Sequence, residues 1–176
     1  MQYNVLNVSQ YGIIINIDGH FNINGVIYKD PVASARLLTL SELERISHLD
    51  LQHPAARMQI EEDLISNAFR SFIGISDFVD WDKTEAGLLE TISNAIILTS
   101  TSYLTDPIRK IDDVSRGIGV INSMQAVVSR FLSTPYSEVE KLPVNEIFRR
   151  YAICMSAFPK EVSPLIENEE DEDNGL

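Results

Sequence analysis

Residues 13–30, IIINIDGHFNINGVIYKD, hold two glycine turn signals, Asp18-Gly19 and Asn24-Gly25, within a run that otherwise favours strands. Ile13, Ile15 and Ile17 alternate to one side. Phe21 and Ile23 alternate with His20 and Asn22, and Val26, Ile27 and Tyr28 follow the second glycine. Both dipeptides supply the positive φ angles that tight hairpin turns require. Either the two turns make a meander with a very short middle strand, or one is the hairpin turn and the other a bulge; the spacing leaves both open. Residues 1–30 therefore read as a β-ribbon.

After Asp30-Pro31 the pattern changes to helix. Thr39-Leu40-Ser41-Glu42 fits a capping box, in which the Thr hydroxyl and the Glu carboxylate each satisfy a free backbone N–H at a helix start. Leu40, Leu43, Ile46 and Leu51 make its apolar face. Pro54 suits the first turn of a second helix, where Ile60, Leu64, Ala68 and Phe72 recur every fourth residue with Ile65, Phe69 and Ile73 beside them. Asp82 to Glu85 repeats the capping-box pattern ahead of Leu88, Leu89, Ile92, Ala95, Ile96 and Thr99. Asp106-Pro107 opens a further segment through Ile121 and Val128 to Leu132. Gly117 and Gly119 inside it each cost about 1 kcal/mol relative to Ala, which predicts a kink, a break or a close backbone contact. Pro143 begins a last helix on which Ile147, Tyr151, Cys154 and Phe158 share a face, and Pro159 ends it.

The expected fold is mainly α: an N-terminal β-hairpin or short meander, a bundle of five or six helices over residues 31–160, and a disordered acidic tail over 161–176. With 44% apolar residues in 176, one domain can bury a core without metal or disulfide. The single Cys154 fits a reducing, cytoplasmic compartment. No apolar run approaches the roughly 18 residues that a bilayer span needs, so no membrane partner is expected. Of the net charge of −12, residues 161–176 carry seven acids and no Lys or Arg, leaving −5 on residues 1–160. That balance argues against a nucleic-acid partner, whose phosphates are held by Lys and Arg.

The candidate sites for chemistry have simple structural readings. His48 and His53 stand five apart, about 140° around a helix, a poor geometry for a metal pair. His20 beside Asp18 has no nucleophile in a recognisable setting. Arg116-Gly117-Ile118-Gly119 is half of a dinucleotide fingerprint without its strand. Asp77, Asp80 and Asp82 are spaced like the first ligands of a calcium loop, but the loop's Gly and terminal Glu are missing. Trp81 reads as an anchor into the core or onto a partner, and Arg149-Arg150 as a pair able to hold a carboxylate. No catalytic, cofactor or metal residue is expected.

Residues 137–159, SEVEKLPVNEIFRRYAICMSAFP, resemble a segment near the end of small helical proteins of tailed bacteriophages that act in tail or baseplate assembly, and the stretch from Thr39 to Ile46 within LTLSELERI is similar to the first helix of such proteins. The resemblance implies a non-enzymatic tail assembly chaperone that binds tail or tape-measure proteins in the host cytoplasm. A structural virion protein of the baseplate or head-to-tail joint is the alternative, and a small regulator of a host enzyme a third. Partners are then other phage structural or tail proteins, or a second copy in a homo-oligomer. The expected partner-binding residues are Ile15, Phe21, Ile27 and Tyr28 on the ribbon, with Trp81, Arg149 and Arg150. A free ribbon edge suits the addition of a partner strand.

Overall fold

The computed structural model describes residues 2–9, 12–47, 54–75, 78–104 and 114–162. The chain opens with five strands: β1 (Tyr3–Ser9), β2 (Gly12–Ile17), β3 (His20–Ile23), β4 (Val26–Lys29) and β5 (Val32–Ala35). Helices α1 (Leu40–Ser47) and α2 (Pro54–Asn67) follow, then a sixth strand, β6 (Phe69–Phe72). A 3-10 turn (Trp81–Lys83) leads into α3 (Ala86–Thr101), α4 (Val114–Phe131), the short α5 (Tyr136–Val139), α6 (Val144–Ala157) and the short α7 (Pro159–Val162).

The expectation of a mainly helical bundle fronted by a hairpin or short meander is overturned. An antiparallel four-stranded sheet in the order β1-β2-β5-β6 and a two-stranded sheet β3-β4 make this an α+β fold. The reason lies in the two glycine signals. Asn24 (φ 54°) and Gly25 (φ 85°) form the true two-residue hairpin turn between Ile23 and Val26, with positive φ at both positions as a type I′ turn demands. Asp18-Gly19 is a bulge. Between the pairs Asn16↔Val32 and His20↔Lys29 the first strand advances by four residues and the second by three, so one residue is extra. Bonds from Ile17 N–H to Pro31 O (3.0 Å) and from Asp30 N–H to Gly19 O (2.7 Å) carry the pairing across the break. β2 with β3, and β4 with β5, thus form one long β-arm whose base belongs to the larger sheet and whose tip is the β3-β4 hairpin.

At the base, Ile13, Ile15, Ile17, Ala33, Ala35 and Phe72 are buried on one face. Each of Ile13 and Ile15 faces an alanine across the β2-β5 pair, which leaves room for a covering helix. α3 packs over β1 and β2, and α2 packs on α3. The opposite face, with Ile14, Asn16, Val32, Ser34 and Ser71, is half-buried or exposed. α2 and α3 therefore cover one side of the sheet, while α4, α5 and α6 pack on one another. Gly12 begins β2 at a point where a Cβ would lie 2.0 Å from Ala35 O, so only glycine permits this strand approach.

Local signals explain several helix boundaries. Thr39 N–H donates to Glu42 Oε2 (2.8 Å) and Glu42 N–H to Thr39 Oγ1 (3.3 Å), the expected capping box of α1. Arg36 clasps the same carboxylate with two bonds (2.8 and 2.6 Å) and donates from Nε to Asn67 O, so one guanidinium joins the end of β5 to α1 and to the exit of α2. Burial opposes ionisation of Glu42, but Arg36 and the Thr39 N–H outweigh it and hold the pKa below its ordinary value. Leu40, Leu43 and Ile46 are buried as their spacing predicts.

Other boundaries differ from expectation. The Ile60, Leu64, Ala68, Phe72 stripe crosses from helix to strand: α2 ends at Asn67, and Phe69–Phe72 pairs with β5. All four residues are buried because both elements face the same core, so the four-residue spacing outlasts the helix. The second capping box does not form. Asp80 instead caps the 3-10 turn by accepting from Asp82 N–H (3.2 Å), and α3 starts after Glu85. α4 runs unbroken through Gly117 and Gly119; a Cβ at Gly117 would meet Leu104 O at 2.0 Å, the close backbone contact expected there. α6 begins after Pro143 as expected, and Val162, within the stretch assigned to the tail, is buried at the end of α7. Leu51, His48, His53, Asp77, Asp106-Pro107 and residues 163–176 lie outside the described residues.

Candidate interaction site

The expected site residues fall into three places. Ile15 is 0% exposed, in a strand paired on both sides, and Phe21 is buried on the hairpin face that joins the core. Both belong to packing and offer no surface. Trp81 is half-buried and held edge-on to Phe69, with ring centroids 5.2 Å apart, and 6.3 Å from Phe72, so it anchors the 3-10 turn to β6. Arg149 and Arg150 do hold a carboxylate, one from their own helix. Arg149 donates to both oxygens of Glu146 at 2.8 Å, and Arg150 Nε donates to one of them at 2.8 Å. The Arg149 bonds, opposed by partial burial and reinforced by Arg150, lower the Glu146 pKa to about 2.

Ile27 and Tyr28 remain, on β4, and here the hairpin's two edges differ. The outer edge of β3 is closed by the loop before α3: Glu85 N–H donates to Asn22 O (3.0 Å) and Asn22 N–H to Glu85 Oε2 (3.4 Å). Asn24 fastens the tip. Its side-chain amide donates to Phe78 O (2.8 Å), its side-chain oxygen accepts from Asp80 N–H (2.8 Å), and its own N–H reaches Thr84 Oγ1 (3.4 Å). β4 has no such cover among the described residues, and it ends the two-stranded sheet.

The register tells which groups β4 presents. In an antiparallel pair, opposite residues alternate between exchanging both backbone bonds and pointing them outward. Asn22 points outward, toward Glu85, so its partner Ile27 points outward on the other side, as does Lys29 opposite His20. Ile27 and Lys29 thus each present an N–H and C=O that no described residue pairs. Ile27 is 71% exposed and Val26 53%, and Phe78, tied to the tip through Asn24, is 92% exposed. Phe78 and Val26 were missing from the expected residues; the Asn24-Gly25 turn was a signal for Val26, which follows it, but Phe78 reaches the tip only through its long-range bond to Asn24 and carried no local signal.

The remaining candidates have structural roles. Asp18 accepts from Asn16 (2.9 Å) and Asn4 (3.4 Å) side chains at the bulge, while His20 stands exposed on the outer face of the hairpin. Cys154 is buried, which pushes its thiol pKa up. Among the described residues no group of three His, Cys, Asp or Glu is placed to hold a metal ion, and no helix is long and apolar enough to cross a membrane. Comparison with protein-family models, curated proteins and solved structures finds no match.

Proposed function

We propose that this chain is a non-enzymatic binding protein of tailed-phage morphogenesis, a tail assembly chaperone that engages tail or tape-measure proteins through the β3-β4 hairpin. The observation that carries the binding role is the open β4 edge, with outward backbone groups at Ile27 and Lys29 beside exposed Val26 and Phe78. A strand added there gains main-chain hydrogen bonds for affinity and side-chain neighbours for specificity. The assignment to tail assembly is supported by the resemblance of residues 137–159 and of the α1 segment to such proteins. The acidic balance of the chain suits a protein that keeps apolar client segments soluble before assembly.

The test is affinity purification of the tagged protein from the cells that express it, with mass spectrometry of the eluate and of finished particles. Recovery with unassembled tail or tape-measure proteins, lost in Ile27→Pro and absent from particles, is the expected result. Fixed-copy presence in particles would replace the chaperone with a structural subunit. A metabolic or regulatory host enzyme as the main partner would overturn the phage reading.

A further inference from the structure

The β4 edge also specifies the sequence of the strand that fits it; this rests on the reading of the hairpin as the binding surface. We infer that β4 accepts an antiparallel extended segment with an acidic residue followed two positions later by a β-branched apolar residue, the acid opposite Lys29 and the apolar residue opposite Ile27.

Ile27 and Lys29 turn their backbone groups outward, so an incoming strand makes its paired hydrogen bonds at these two residues. Side chains of directly opposite residues share a face. The side chains of His20, Asn22, Ile27 and Lys29 share the outer face of the hairpin, and Val26 and Tyr28 share the other with Phe21 and Ile23. A residue opposite Ile27 meets an apolar side chain that is largely exposed, which favours a β-branched neighbour. A residue opposite Lys29 meets an exposed ammonium with no carboxylate partner among the described residues, and His20 lies just across the hairpin. Lys29 is the one charged side chain between Gly19 and Lys29, with Asp18 and Asp30 just outside that stretch, so the charge an incoming strand meets opposite it is that of a single ammonium. The position between them faces Tyr28, the one after the β-branched residue faces Val26, and both take apolar or aromatic side chains.

Chain direction follows from the same geometry. β4 runs from Val26 to Lys29, so in an antiparallel partner the residue opposite Lys29 comes first. Every strand pairing in the structure is antiparallel. The order is therefore acidic, apolar, β-branched, apolar.

The experiment uses the full chain and two fluorescein-labelled octapeptides, Ser-Gly-Glu-Tyr-Val-Val-Gly-Ser and the same peptide with Lys in place of Glu, followed by anisotropy. The Glu peptide should bind about five-fold more tightly than the Lys peptide, the scale of one cross-strand charge pair set against one like-charge pair. Lys29→Glu should invert that preference. Ile27→Pro removes an outward N–H without touching the bonds to β3 and should abolish binding of both, with circular dichroism unchanged. Lys29→Ala provides a second variant that keeps the fold and should erase the preference. Binding without charge preference, binding that survives Ile27→Pro, or no binding of either peptide overturns the inference. Co-purification of tail proteins that depends on Ile27 while the peptides fail to discriminate defeats the inference alone; peptide discrimination without any morphogenetic partner defeats the functional reading alone.

Discussion

Ile15 and Ile27 belong to the same β-arm and to the same glycine-punctuated stretch of sequence, but one lies at its base and the other at its tip. Ile15 is paired with β1 on one side and β5 on the other and sits in the core, whereas Ile27 is the centre of an uncovered edge. Both are β-branched residues in good strand contexts. What separates them is the company of distant strands: the base gains β1 and β6, and the tip gains only the loop that closes β3. Strand propensity therefore marks where the chain extends, and topology decides which extended residues are structural and which are available.

Truncation of the two isoleucines should separate base from tip most strongly. Ile15→Ala should cost about 2–4 kcal/mol in denaturant unfolding, because it removes packed methyl groups and leaves a cavity under the helices. Ile27→Ala should change stability by less than about 0.5 kcal/mol, as at most exposed sites. Equal losses would mean that the tip is as integral to the core as the base.

Two of the arm's three glycines give the next effect. Gly12→Ala drives a Cβ into Ala35 O and should destabilise by about 2–3 kcal/mol, or displace β2 from β5. Gly25→Ala has open space around it and meets only the positive-φ cost, about 1–2 kcal/mol. Thermal unfolding of both variants checks the order.

Loss of the Asn24 clamp should be smaller and local. Asn24→Ala removes the two side-chain bonds to Phe78 and Asp80 and should speed exchange of the paired amides of Phe21, Ile23, Val26 and Tyr28 about ten-fold, corresponding to about 1–1.5 kcal/mol, while leaving β2 and β5 protected. Faster exchange at the base would show that tip and base open together.

Acid titration sharpens the contrast from the helical side. The folded pKa of Glu146, at about 2, lies below its ordinary value of 4.5. The carboxylate's contribution is therefore complete above about pH 5 and is lost as pH falls toward 2. Glu146→Gln should flatten that part of the stability curve, measured by urea unfolding at several pH values, with the effect reported by α6 before the β-arm.

Much of the fold was legible where the signal is local. The Thr39–Glu42 box, the Pro143 start of α6 and the buried Ile13, Ile15, Ile17 alternation all follow from residues within a turn or strand of one another. Where partners are distant the reading failed. VASA and FRSF are four-residue strands that acquire their state by pairing with β2 and with each other, and neither carries a long periodic pattern. The choice between turn and bulge at Asp18-Gly19 was likewise made by β2 meeting β5. At the site, Ile27 and Tyr28 were legible as strand residues, but their availability depends on Glu85 and Asn24 closing β3 and leaving β4 open.

The strand order has a consequence for synthesis. β1, β2, the hairpin and β5 are complete once Ala35 has been made, but β6, which covers the second side of β5, ends only at Phe72. At roughly 5–20 residues per second, β5 waits about 2–7 s on the growing chain with an unpaired edge. In that interval the larger sheet ends at β5 and not at β6, so a neighbouring nascent chain that pairs there takes the place of β6 and leaves the sheet incomplete.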